Sequence, residues 1–153
     1  MRNDRAVKMK DKESCDLDGL STAWDKICAE GSVTLSQVDK LAEEFNVLSG
    51  KWLVFVPTDR VDALWGRIVK ATLAGTMGSS AKVSPCDEGN PNYRHVICVY
   101  NSDYRSKAEV GKLRDGLRRL GVKECIGYKP DIYTNCRIYK GNSWGIAPSR
   151  YHV

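Results

Sequence analysis

Apolar and polar positions change period most clearly between Gly50 and Gly75. Trp52-Leu53-Val54-Phe55-Val56 is an unbroken apolar run, short and β-rich, which predicts a strand buried on both faces. Pro57-Thr58-Asp59 breaks the run and offers Asp59 as a helix N-cap. Val61, Leu64, Trp65, Ile68, Val69 and Leu73 then recur at helical spacing over residues 60–74, and Gly75 supplies the stop.

The flanking pattern repeats this grammar. Thr34 precedes Leu35, Val38, Leu41, Ala42 and Phe45, predicting a helix over 35–46. A Gly/Ser loop leads to a short strand near 81–84, and the turn-rich stretch Pro85–Asn92 leads to a second apolar strand over 93–100. Ser106 and Glu109 have capping-box spacing, in which each side chain bonds the other's free backbone N–H. Val110, Leu113, Leu117 and Leu120 carry that helix to Gly121. Strand-like segments follow at 122–128 and 136–140, then a Gly/Ser/Pro-broken tail containing Trp144. Several links are too short for parallel crossovers. The expected class is therefore α+β, an antiparallel sheet with about three helices on one face and the other face partly open.

Composition narrows the setting. With 153 residues, 42% of them hydrophobic, the chain suits one domain with one core. Residues 1–19 are charged and poor in bulky side chains, so they are expected to form a flexible N-terminal tail, with one domain over 20–153. No apolar h-region or membrane-length run is present. Cysteines 15, 28, 86, 98, 125 and 136 lack metal-ligand or paired spacing, which predicts free thiols, no metal site and an intracellular setting, cytoplasmic or nuclear. Charge is uneven: residues 1–50 hold 7 Lys/Arg against 10 Asp/Glu, whereas residues 51–153 hold 17 against 9. A basic body suits an anionic partner such as a nucleotide or nucleic acid, although a charge of that size also serves ordinary solubility.

The order of elements, with Gly50-Lys51-Trp52-Leu53, Val61-Asp62-Ala63-Leu64-Trp65, the Val96–Tyr100 strand and Ile126-Gly127-Tyr128, resembles the cap-binding translation initiation factor 4E-like superfamily. Within it, the stretches GKWLVFV, IGYKPDIYT and YKGNSWGIAPSRYH are most similar to the uncharacterised basophilic leukaemia expressed protein family. The resemblance spans about residues 20–153 and implies a curved antiparallel sheet with helices on its convex side and a concave face free for ligand. Cap-binding members stack a methylated guanine between two tryptophans, one of them shortly before the GKW-type strand. Here that stretch reads Ala42-Glu43-Glu44-Phe45-Asn46-Val47. The strand that carries phosphate-binding basic residues in the superfamily keeps Lys82 and then continues Ser84-Pro85. On the dorsal surface used for scaffold helices, Leu41 and Gly66-Arg67 replace the expected residues.

Candidate ligand residues follow from alternation. In Cys136-Arg137-Ile138-Tyr139-Lys140, Arg137 and Tyr139 share a face opposite Cys136 and Ile138, with Lys140 and Trp144 beyond. A cation beside an aromatic suits a phosphate with a stacked base; a snorkelling Arg and a rim Tyr is the competing structural reading. Arg94 falls on the open face and His95 under the helices, where a hydrogen-bonded structural role is expected. Trp24 and Trp144 lie outside the regular patterns and are ligand candidates, although Trp24 equally suits a staple between tail and domain. Lys107, Lys112, Arg114, Arg118 and Arg119 lie around the exposed side of the helix that Gly121 ends; basic helices can grip phosphates, and a solvated face is the competing reading.

The catalytic inventory is thin. There are two histidines, a loop carboxylate pair at Asp87-Glu88, and no nucleophile-elbow, P-loop or dinucleotide motif. A cysteine approached by His95 is the one catalytic arrangement left open. The expected function is a non-enzymatic, cofactor-free module binding a nucleotide or single-stranded RNA through Lys82, Arg94, Arg137, Tyr139, Lys140, Trp144 and Trp24. The alternative is a protein–protein adaptor that has lost its ligand site.

Overall fold

The structure, a computed structural model, describes residues 15–87 and 89–153. Five strands form one sheet in the order β2-β3-β1-β4-β5, and every neighbouring pair is antiparallel. They are β1 (Gly50–Pro57), β2 (Ser80–Val83), β3 (Arg94–Asn101), β4 (Gly127–Pro130) and β5 (Tyr151–His152). The helices are α1 (Leu17–Ala29), α2 (Leu35–Glu44), α3 (Thr58–Leu73), α4 (Lys107–Arg119) and α5 (Asp131–Asn135). The α+β class and the antiparallel sheet read from the sequence stand, with α1 and α5 added to the three expected helices.

β1 is central because it is the most apolar segment, and it pairs along its whole length with β3, Gly50 opposite Asn101 through Pro57 opposite Arg94. Period-two geometry then sorts its residues. Trp52, Val54 and Val56 point with Ile97, Val99 and Tyr128 into a buried core beneath α3 and α4. The Trp52 indole Nε1 donates to the Val110 carbonyl of α4 at 3.0 Å. Lys51, Leu53 and Phe55 point the other way with Tyr100, Cys98 and Val96. That second face is not closed: Phe55 is 49% exposed. The expectation of burial on both sides of β1 fails there, because no helix covers that end of the face.

The helix signals were partly misplaced. α3 begins at Thr58 with no side-chain cap, and Asp59 sits in its first turn, where it complements the helix dipole. At α4 only half the capping box forms, Ser106 Oγ accepting from Glu109 N–H at 3.3 Å. The reciprocal box forms instead at α2, between Thr34 and Gln37.

Three readings are corrected outright. α1 begins at Leu17, inside the stretch expected to be a tail, with Asp16 accepting from Gly19 N–H at 2.9 Å; residues 1–14 lie outside the described part. Leu20, Ala23, Trp24 and Ile27 form its inner stripe, so Trp24 belongs to a regular helix. Of the strand expected over 122–128, only Gly127 and Tyr128 are in β4. The strand expected over 136–140 is absent: the chain leaves α5 through Cys136 and turns at Arg137, whose φ is +55°. Cys136 and Ile138 are still buried. A helix end followed by one left-handed residue can give the same alternation of burial as two turns of strand.

Burial of polar groups gives the fold a pH signature. Tyr104, Tyr128 and Tyr133 are buried, and desolvation is the first cause raising each phenol above its ordinary value of 10. Burial likewise raises the thiols of Cys28, Cys98 and Cys136, the last to about 12. A pKa raised on folding contributes stability that is complete below the unfolded value and is lost as pH rises. Lys129, lowered by burial, acts in the opposite sense but is one group against several. The melting temperature is therefore expected to hold to about pH 8 and fall steeply above about pH 10. Calorimetry across that range checks it, and a flat profile to pH values above the free phenol's range would refute it.

Candidate functional site

The sheet face opposite α3 and α4 carries basic and aromatic side chains: it is open around Phe55 and Lys82, whereas Lys51 and Lys129 are buried at the end near α5. Strand register places Lys51, Tyr100 and Ser80 in one row, with Lys82, Cys98 and Leu53 in the next. Lys51 Nζ and Lys82 Nζ lie 5.6 and 5.8 Å from the centroid of the Tyr100 ring, so two ammonium groups bracket one aromatic. The Tyr100 side chain is also the first cause holding the Lys82 ammonium above its ordinary pKa. Lys51 is further held by Asp131 Oδ1 at 2.5 Å, and Ser49 Oγ donates to Asp131 Oδ2 at 2.5 Å. These groups border an open pocket of about 360 Å³, which Asn46, Val47 and Thr134 also line.

Along the β4 side, Lys129 lies on the same face as Lys51 and Leu53. Its Nζ donates to the Ile138 carbonyl at 3.0 Å and sits 4.1 Å from the centroid of Tyr139. Desolvation, then the nearby Lys51 charge, lowers its pKa. At the far end, the Arg94 guanidinium donates to the Phe55 carbonyl at 2.8 Å. The chemistry available is electrostatic capture of an anion combined with stacking on exposed rings. Among the described residues no group of three or more His, Cys, Asp or Glu is placed to hold a metal ion.

Residues 3–137 match the family model described as basophilic leukemia-expressed protein Bles03. The chain belongs to the Bles03 family. Among solved structures it is similar to schistosome eIF4E, determined in complex with m7GpppA and 4E-BP, at 18% identity and a TM-score of 0.48. That match covers 69% of this chain and 58% of the other, so the chain spans little more than half the length of that relative. No described helix is long and apolar enough to cross a membrane.

In this Bles03-family chain the sequence-derived candidates divide. Lys82 and Arg94 occupy the open face, and Tyr139 flanks it through Lys129. Lys140 and Arg137 are exposed on the turn after α5. Trp24 and Trp144 are used for packing: their rings meet edge to face at 5.1 Å and 77°, joining α1 to the C-terminal segment. His95 is buried and shares a 3.1 Å hydrogen bond with Thr58 Oγ1, the structural role expected of it. Asp87 is exposed, and its neighbour Glu88 lies outside the described residues.

Sequence reasoning missed Lys51, Phe55, Tyr100, Lys129 and Asp131. The signal for the first two was present: Lys51, Leu53 and Phe55 alternate with Trp52, Val54 and Val56, and a lysine opening the strand marks its side as the polar one. Asp131 had no local signal, because Lys51 is 80 residues away in the chain.

Proposed function

We propose that the open part of this sheet face binds a nucleotide or a short single-stranded RNA, with aromatic rings stacking the bases and the exposed cations Lys82 and Arg94 holding the phosphates, and without chemical conversion of the ligand. Phe55 carries the reading. A fully buried phenylalanine contributes roughly 1.5–3 kcal/mol, so a Phe left half in water on a central strand forgoes about 1 kcal/mol. A base laid on that ring would recover it. Tyr139, 52% exposed beside Lys129, offers a second ring, and Tyr100 between Lys51 and Lys82 a third. Lys82 and Arg94 extend the cationic surface to either side. The route differs from a methylguanine sandwich, since the rings are spread over the sheet and not paired across a slot.

Fluorescence anisotropy with a labelled single-stranded oligonucleotide tests this, with 7-methyl-GTP and GTP as competitors. Replacing Phe55 by Ala is expected to weaken binding by about 1–3 kcal/mol, the usual value of one stacked base. Replacing Lys82 by Ala should lower the slope of log affinity against log salt by about 0.7, one phosphate contact on a single strand. Affinity unchanged in the Phe55→Ala, Lys82→Ala double variant would overturn the reading and leave the adaptor role in its place. Competition by 7-methyl-GTP alone, with no effect of plain GTP, would show a methyl-specific slot that the proposed surface does not explain.

A further inference from the structure

Cys125 and His152 form a thiol–imidazole pair that the proposed binding role does not use. Cys125 Sγ lies 3.5 Å from Nδ1 and 3.8 Å from Nε2 of His152. A neutral imidazole has one nitrogen free to accept a proton, and the sulfur lies close to the ring edge that carries both nitrogens. Both residues are exposed.

The pair stands on a fixed platform. His152 lies opposite Gly127 in the β4–β5 ladder. Ile126 N–H donates to Val153 O at 2.7 Å, and Val153 N–H returns to Ile126 O at 3.0 Å. The Arg118 guanidinium donates to Glu124 O at 2.7 Å and to Val153 O at 3.2 Å, the residues just before Cys125 and just after His152. Glu124 itself is paired with Arg60. Gly127 leaves room beside the imidazole: a methyl group there would lie 2.7 Å from Ser149 Oγ and 3.7 Å from His152 Cδ2.

No other described thiol has this arrangement. Cys98 and Cys136 are buried and Cys28 half-buried, and burial holds all three thiols protonated to higher pH. Cys15 is exposed, but its Sγ donates to the Phe45 carbonyl at 3.4 Å. Cys86 is exposed on the loop after β2. The chain's other histidine, His95, is buried against Thr58.

We propose that Cys125 is the reactive thiol of this chain, a modification site that undergoes thiol–disulfide exchange with small aliphatic disulfides, with His152 as its proton acceptor. The Cys125 proton passes to the free His152 nitrogen, and the thiolate attacks one sulfur of the incoming disulfide. The new S–S bond forms as the old one breaks, and the departing thiolate takes the proton from the imidazolium. The lone pair of the Cys125 sulfur makes the new S–S bond, and the pair of the old bond leaves with the departing thiolate. Cys125 is thus oxidised to a mixed disulfide as the departing sulfur is reduced to a thiol, the reagent's other sulfur staying in the new disulfide.

The test is exposure of the full chain to oxidised glutathione for short times, followed by alkylation and peptide mass spectrometry of every cysteine. Cys125 is expected to gain the adduct at least about tenfold faster than Cys15 or Cys86, which serve as internal controls. His152→Ala should bring Cys125 down to their rate while leaving the rates of Cys15 and Cys86 unchanged. His152→Gln keeps the β5 backbone pairing and a polar side chain but removes the base, so it should slow Cys125 equally even if the Ala variant frays the strand. Equal rates at the three exposed cysteines, or an undiminished Cys125 rate in His152→Gln, would overturn the proposal.

Discussion

Replacing Asp39 by Ala is expected to destabilise the protein by about 2–4 kcal/mol, somewhat below the figure for a fully buried ion pair because both partners keep some contact with water. Asp39 is on α2 and meets Arg150 near β5, 111 residues away, through hydrogen bonds of 3.1 Å from Nη1 and Nη2. Tyr104, fully buried, donates its hydroxyl to Asp39 Oδ1 at 2.7 Å, and the Arg150 guanidinium lies 5.7 Å from the centroid of its ring. Removing the carboxylate leaves a buried phenol without its acceptor and a half-buried guanidinium without its counter-charge. Asp39→Asn keeps an acceptor for Tyr104 and loses only the charge, so about half the effect should remain. Urea unfolding of the three proteins gives the comparison. A loss below about 1 kcal/mol for Asp39→Ala would mean that this network contributes no more than an exposed ion pair.

Trp52→Ala should cost about 3–5 kcal/mol, the range for truncating a large aromatic in a core. Trp52 is almost wholly buried at the junction of β1 with α4, its ring edge to face with Tyr128 at 5.3 Å. Its indole N–H ties β1 to the Val110 carbonyl in the first turn of α4. Trp52→Phe refills much of the volume and loses that hydrogen bond, so a loss of about 1–2 kcal/mol is expected. Equal costs for the two variants would show that the hydrogen bond, and not the packing of the ring, is what Trp52 supplies. The same denaturation curves decide this, and an unchanged m-value would confirm that both variants unfold from the same compact state.

The two networks differ in how far they could be read in advance. Trp52 stands in an apolar run next to a helical stripe, so its burial follows from local pattern alone. Asp39 and Arg150 carry no such mark. Each is an ordinary charged residue in its own segment, and the contact exists because α2 and the C-terminal segment are brought together around Tyr104 and Tyr133. The same contrast holds on the open face. Arg94 was legible because strand alternation assigns a side to each residue, and Lys82 because the resemblance marks its strand as one that carries basic residues. The partners that define the pocket, Asp131 against Lys51 and Tyr139 against Lys129, depend on where the chain goes after β4. There the sequence pattern misled: apolar residues at 136 and 138 read as a strand, whereas Pro130 ends the ladder and α5 follows at once.

Trp24 and Trp144 show the limit most plainly. Lying outside the strongest periodic stretches, they read from the sequence as free aromatics suited to a ligand. In the folded chain they find each other, and the edge-to-face contact joins α1 to a segment more than a hundred residues later. The period of apolar positions by itself determined the α+β class, the central strand β1 with α3 packed on it, the strand β3 and the helix α4, because those elements are stabilised by faces written in consecutive residues. Only the tertiary structure decided which charges meet on the open side of the sheet, and which thiol stands beside a histidine. Those outcomes depend on contacts between residues far apart in the chain, and no local period encodes them.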